Sequence, residues 1–570
     1  MNDPIAAMLQ GERERLMREA GLPLGPIRHF RRPPEAPFTR AERERVTVWF
    51  GGLTLRHEAL ILAALEGLGY RVGVVPTPTK ADFQAGKTFG NNGQCNPTYF
   101  TVGALVNHLA RMRDEQGIPV EHILRDHVFI TAGACGPCRF GMYEAEYRLA
   151  LRNSGFDGFR VLLFQQGGGL DQATLEAGLD FNLDFFLSIL NAMFMGDLLN
   201  EVAYQIRPYE VVPGRTDVVL RQCVEICSTA LRAKSYDQLH GGVLARLLAS
   251  VAPVTGPDDA EKVLDQLRGT HGTDAFARCR QLIEAEIEVD LTRAKPICKI
   301  TGEFWAQTTE GDGNFRMFPF LEGEGAEVLV EPIATWIAYM LHQATQKARD
   351  RRGLRADGAA PGLGGRLANE LAHRKRLLTF SVADRLIGRE YDRLRQALGG
   401  TAHPLANQLE LTRVGHPYYH SRAGGGEGHL EVAKNIYYMN RDLSHMVLSL
   451  KPFGCMPSTQ SDGAQAAVVA HFKDMIYLPV ETSGEGDINA HSRVQMALGE
   501  AKAKCKDEFT RSLERTGYAL SEIRAYVADR PELRRPLRRV EHRPGVVGRA
   551  ANFVLDVAER MRAAGVARAV

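Results

Sequence analysis

VTVWFGGLTLRHEALILAALEGLGYRVGVV, residues 46–75, is the stretch on which the fold turns. It opens on a β-branched and aromatic run, Val46 to Phe50, that ends in Gly51-Gly52. An apolar-periodic segment from Leu53 to Leu68 follows, and RVGVV at 71–75 reads as the next strand. Strand, helix and strand in so short a span make a βαβ unit, whose right-handed crossover sets the two strands parallel.

Working outward, HVFI at 127–130 and FRVLLF at 159–164 continue the alternation, which predicts a doubly wound α/β domain. The pattern recurs with PICKIT (296–301), AEVLVEP (326–332), MVLSL (446–450) and MIYLPVE (475–481), so the two α/β regions are candidate copies of one design. From about 182 to 292 strands give way to helical spacing, as in NLDFFLSILNAMFMGDLLNEV. The expected organisation is an N-terminal arm (1–44), a first α/β domain (45–200), a helical region (201–292), a second α/β domain (293–506) and a helical tail (507–570). RDRRGLRADGAAPGLGGR (349–366) reads as a flexible surface loop. Arg534, Arg535, Arg538, Arg539 and Arg543 in the tail read as a solvated face.

A chain of 570 residues is too long for one hydrophobic core, and 44% apolar with 24% charged residues is ordinary for a globular protein. The 70 basic and 68 acidic side chains nearly cancel, so no nucleic acid or anionic membrane partner is expected. No uninterrupted apolar run has the length of a bilayer span, and the charged N-terminus lacks a signal peptide's apolar centre. A cytoplasmic protein is expected, and in that compartment the nine cysteines are better read as metal ligands or redox thiols than as disulfides.

Four cysteines stand in loops suited to ligation. Cys135 and Cys138 lie in AGACGPCRFG after the 127–130 strand, with Phe140, Tyr143, Tyr147 and Leu151 on one face of the helix beyond. Cys455 lies in KPFGCMPST after the 446–450 strand, and Cys95 in GNNGQCNPTYF before a helix at 98–113. Ligands of open α/β sheets gather beyond the carboxyl ends of the strands, so these loops can converge. Four thiolates suit a cubane cluster, and Pro97, Pro137, Pro452 and Pro457 stiffen the loops. Zinc is an alternative, and CGPC between strand and helix is also the active-site string of thioredoxin-like dithiols. Cys223 and Cys227, one helical turn apart, read as core residues that could reach a common metal; Cys298 reads as core, and Cys279 and Cys505 show no partner.

At these same positions the chain resembles the 2-hydroxyacyl-CoA dehydratase and benzoyl-CoA reductase component family, and more closely the C-terminal half of the large fused activase-related proteins. GQCNPTYFTVG, ACGPCRFGMYE, ITGEFWAQTTEGDGNFRMFPFLEGEGAEVLVEP, and PFGCMPST followed by DMIYLPVETSGEGD carry the resemblance, over roughly residues 45–505. It implies two flavodoxin-like (Rossmann-like) parallel-sheet domains around one 4Fe–4S cluster on Cys95, Cys135, Cys138 and Cys455. A double cubane, as in one branch of the family, is the alternative and would have to recruit further cysteines such as Cys223 and Cys227. The resemblance also implies a separate ATP-hydrolysing activator with its own iron–sulfur cluster, because the fused relatives carry their ATPase in an N-terminal half that this chain lacks. A homodimer or a paired subunit is a further expectation.

ATP itself is not expected on this chain. GKT at 86–88 imitates a P-loop, but Ala81 stands where its first glycine is required. QQGGG at 165–169 reads as a tight turn. Glu303, Glu331 and Glu481 follow strand ends, and Glu303 and Glu481 are the candidates for acid–base work beside a cluster. Asn314 in DGNF matches the family pattern without an assigned role. The expected function is an iron–sulfur reductase component that takes low-potential electrons from the activator and passes them singly to a substrate, an acyl-CoA on the resemblance alone. The alternatives are a thiol–disulfide oxidoreductase using CGPC, or a non-catalytic zinc-binding or scaffold subunit.

Overall fold

The computed structural model describes residues 4–21, 36–133, 138–165, 178–236, 242, 245–246, 256–353 and 363–566. The chain divides into an arm up to Pro37 and a main body, Phe38–Val570. Among its described residues the arm holds the helix Pro4–Glu19, on which Arg15 pairs with Glu12 and Glu19 at one-turn spacing.

The described residues of the main body form two sheets. In the first, β1 (Thr47–Phe50), β2 (Val72–Val74), β3 (His127–Gly133) and β4 (Arg160–Gln165) lie in the order β2-β1-β3-β4, all parallel. In the second, β5 (Ile297–Gly302), β6 (Glu327–Leu329), β7 (Met446–Pro452) and β8 (Tyr477–Thr482) take the same relative order, β6-β5-β7-β8, again all parallel. This is the flavodoxin-like arrangement twice over, and each sheet has its topological switch point between its first and third strands. Each strand read from the sequence is present. β5 and β7 are buried at every residue, as central parallel strands covered on both faces should be.

One helix joins the halves. Leu183–Ile206 is rich in apolar residues and buried nearly all round from Asn191 on, with Phe194 and Leu198 in the core under the first sheet and Tyr204 in the core under the second. Among the described residues, the stretch Leu183–Tyr209 is the one long and apolar enough to cross a bilayer, and 72% of it is buried within the protein, which makes it a core helix. Its Asp197 accepts hydrogen bonds from Ile333 N (2.7 Å) and Ala334 N (2.9 Å) at the start of the Ile333–Asp350 helix. The same carboxylate lies 3.1 Å from His57 Nε2 on the Leu55–Gly67 helix that crosses between β1 and β2.

Two expectations need adjustment. The loop read at 349–366 is shorter than predicted, because Ile333–Asp350 runs into it and a 35-residue helix, Leu363–Ala397, leaves it; residues 354–362 lie outside the described residues. The helix-forming run LANELAHRKRLL outweighs Gly364 and Gly365, each of which costs only about 1 kcal/mol in a helix. The tail arginines do more than face solvent: Arg534 pairs with Glu288 at 2.6 Å, Arg543 with Glu559 at 2.8 Å, and Arg538 with Asp556.

Candidate functional site

Three of the four predicted cysteines are among the described residues, and each occupies a helix N-cap. Cys95 caps Asn96–Asp114, Cys455 caps Met456–His471, and Cys138 caps the short 3-10 turn Arg139–Met142. Pro97 and Pro457 sit in the first turns, where a missing N–H removes no helical bond. Cys138 follows β3 and Cys455 follows β7, the third strand of each sheet, so the two positions correspond. Cys135 lies outside the described residues.

The loops meet. Asn96 N donates to Phe453 O at 2.9 Å, and Arg139 Nε donates to Gly454 O at 3.1 Å. A Cβ on Gly454, whose φ is +74°, would stand 3.3 Å from Cys95 Cα. A Cβ on Gly426 would stand 2.4 Å from Pro457 Cγ and 3.6 Å from Cys138 Cβ. Both glycines have positive φ; at Gly454 it is backbone of the first half that stands close, Gln94 O at 3.1 Å, whereas at Gly426 the tight neighbour is the Pro457 ring of its own half.

Buried thiols in this pocket resist ionisation. Cys95 and Cys455 are 5% and 6% exposed, and Cys138 is half-buried. Burial pushes the Cys95 thiol up, opposed by Thr98 Oγ1 at 3.0 Å and Tyr143 OH at 3.2 Å. Cys138 is pushed up to about 12, by burial first and then by the field of Glu427, while Phe140 N donates to its sulfur at 3.4 Å. Cys455 is raised by burial and by Glu303. The attacking thiol of a C-x-x-C dithiol is its first cysteine, here Cys135, which lies outside the described residues, so the raised Cys138 thiol is compatible with either a dithiol or a metal ligand. Added positive charge beside them would favour the thiolates, and the backbone of Thr98, Phe140 and Ser458 already acts in the same direction on Cys95, Cys138 and Cys455. The donor set therefore fits an iron–sulfur cluster. Among the described residues no group of three His, Cys, Asp or Glu side chains could hold a metal ion. A cubane makes a different demand, one thiolate to each of four irons, and its fourth ligand would be Cys135.

No family model, curated protein or solved structure matches the chain.

Two carboxyls face the thiols. Glu303 leaves β5 and caps the Phe304–Thr308 turn, accepting from Ala306 N at 3.0 Å. Glu427 caps Gly428–Asn440 and accepts from Phe304 N. Burial raises both carboxyls, and the negative field of Glu427 raises Glu303 further. The field of Glu303 reaches Cys95, Cys138 and Cys455, and that of Glu427 reaches Cys138 and Cys455. Glu427 was not among the residues predicted from the sequence. The signal for it was positional: it stands at a helix start on the crossover into β7, as Cys95 does on the crossover into β3.

The other strand-end glutamates have different fates. Glu331 is buried against Lys299 Nζ at 2.8 Å; burial raises its carboxyl, but Lys299 and Lys434 together hold it at about 2. Glu481 is exposed on β8, opposite Lys451 in register, and takes no part in the contacts that join the cysteine loops. Asn314 Nδ2 donates to Ala306 O at 3.0 Å and to Thr309 O at 2.9 Å, so it pins the turn that carries Glu303.

GKT 86–88 lies inside the Lys80–Phe89 helix, where a Cβ on Gly86 would come within 2.0 Å of Tyr99 O. That glycine serves helix packing and cradles no phosphate. QQGGG beyond Gln165 lies outside the described residues. Cys223 and Cys227 are fully buried, and Cys279, for which the sequence offered no partner, packs against both: Cys227 Sγ lies 3.8 Å from Cys279 Sγ, and Cys223 Sγ donates to Cys279 O at 3.9 Å. Cys298 is fully buried on β5, and Cys505 is buried on the Asp487–Thr516 helix.

Proposed function

We propose that this chain is an iron–sulfur reductase component that accepts low-potential electrons from a separate ATP-hydrolysing activator and passes them singly to a substrate. The observation that carries the reading is the meeting of three cysteine-capped helix starts, Cys95 and Cys138 from the first half with Cys455 from the second. With Cys135 they would hold one 4Fe–4S cluster. Such a cluster, when bound, supplies one-electron transfer at low potential. The resemblance to the 2-hydroxyacyl-CoA dehydratase and benzoyl-CoA reductase components adds the activator, and with it a cytoplasmic setting and an acyl-CoA as the substrate class to try first.

The residues around the thiols have definable tasks. Thr98 and Tyr143 donate to the Cys95 sulfur and so favour its ionised form. Glu303 and Glu427, with carboxyls raised by burial, are suited to hold a proton beside the site and release it to a reacting group. Phe140 packs edge-to-face on Tyr143 with ring centroids 5.1 Å apart, which fixes the ring whose hydroxyl reaches Cys95.

The test is the iron and sulfide content of protein purified without oxygen. About four irons per chain, with a brown colour that bleaches in air, is the expected result. Zinc with no iron overturns the reading in favour of a zinc-bound scaffold, and near eight irons points to a double cubane. Reduction of the loaded protein by activator should require ATP; equal rates with and without ATP would make it an ordinary electron carrier.

A further inference from the structure

The Leu363–Ala397 helix has a face that none of the described residues of the main body covers. It packs against the Ile333–Asp350 helix, and His373, Leu377 and Phe380 are partly buried along one side. On another side Leu367, Leu371 and Leu378 are 63%, 59% and 48% exposed. Their spacing of four and seven residues puts all three in one stripe at about 100° per residue. Arg374, Arg385 and Arg389 continue the same stripe and are exposed. Arg374 pairs with Glu370 at 2.9 Å, whereas Lys375, Arg385 and Arg389 form no ion pair among the described residues.

We infer that this stripe is a docking surface for an amphipathic helix of a partner protein, with an apolar seam at heptad spacing and acidic flanks. The width of the stripe selects the occupant. A helix that lies in a membrane needs an apolar face of about 100° or more, and this one is a single narrow row, the kind that packs into the holes of one facing helix. Charge narrows the choice further. A second copy would bring arginine against arginine in a parallel pair and arginine against leucine in an antiparallel one, whereas glutamates or aspartates beside a partner's seam would meet Arg385, Arg389 and Lys375. The inference is independent of the cysteine site.

The probe is a fluorescent synthetic helix with leucine at its heptad core positions and glutamate beside them, titrated with the full-length chain. Saturable binding that weakens with salt is expected, together with at least about tenfold weaker binding of the same peptide carrying lysine in place of glutamate. The pairs Leu371→Ser with Leu378→Ser, and Arg385→Glu with Arg389→Glu, should each cost about tenfold or more in affinity while circular dichroism stays unchanged. Absent binding, equal binding of both peptides, or binding that survives both pairs overturns the inference. Adsorption to phosphatidylserine vesicles without peptide binding would assign the stripe to lipid, and self-association through it in sedimentation would assign it to a second copy; either overturns it too.

Discussion

The two halves of the main body share a strand order and differ in what they place at the ends of those strands. After its first strand the first half has Gly51-Gly52, and the second has Glu303. At the helix start on the crossover to the third strand the first half has Cys95, and the second has Glu427. After the third strand both carry cysteine, Cys138 and Cys455. One frame used twice thus gives a site with thiols mainly from one side and acids from the other. The difference teaches that position in the frame, more than local composition, decides which side chains meet.

The comparison breaks first at the shared position. Cys455→Ser, although it leaves the first half untouched, should abolish iron binding as fully as Cys95→Ser does, whereas Cys279→Ser should leave iron per chain unchanged. Iron analysis and visible absorption of oxygen-free protein check this, and a Cys455→Ser protein with full iron would confine the site to the first half.

A second contrast lies in buried charge. The second half buries the Lys299–Glu331 and Lys451–Glu431 pairs, both at 2.8 Å, around β5 and β7. Lys299→Met should destabilise the chain by about 3–5 kcal/mol, because it removes the nearer of the two lysines that stabilise the Glu331 carboxylate, and Lys299→Met with Glu331→Leu should recover much of that loss. Urea midpoints measure both.

In the first half the sensitive group is Glu58, which accepts from Gly52 N at 2.8 Å and Leu53 N at 3.1 Å and is raised by burial to about 7. A carboxyl with a raised folded pKa holds its proton in the fold after the unfolded chain has released it, so its contribution falls as pH rises from about 4.5 through about 7. The loss should amount to at most about 3 kcal/mol and should shrink in Glu58→Gln, read as the difference between urea midpoints at pH 5 and pH 8.

The smallest effect compares two glycines. Gly52 and Gly302 both have positive φ, +98° and +110°, after the first strands. At Gly52 a Cβ meets nothing nearer than Trp305 Nε1 at 3.4 Å, so Gly52→Ala should cost about 1 kcal/mol, the strain of the backbone alone. At Gly302 it would lie 2.0 Å from Leu450 O, so Gly302→Ala should cost more in the same melt. Equal costs would mean that the second half relaxes as freely as the first.

Much of this was readable in the chain. The strands announced themselves because β-branched and aromatic runs such as VTVWF stop at Gly, and the cysteine loops because Pro97 and Pro457 mark helix starts. Glu303 and Glu331 gave identical local signals, a glutamate after a strand. Their separation into a raised and a lowered carboxyl depends on Lys299 lying on the neighbouring strand, which only the sheet order reveals. Glu427 was hidden in RAGGGEGH, a run with no period. Cys279 found its partners through the packing of two helices, which no spacing within either helix encodes.

Asp197 has a mechanical consequence. It belongs to the helix shared by both cores, and it is tied at once to His57 of the first half and to Ile333 and Ala334 of the second. Swinging one sheet away from the other would strip this carboxylate, at about 1–3 kcal/mol for each buried group left without a partner. At this helix the two halves are therefore riveted rather than hinged.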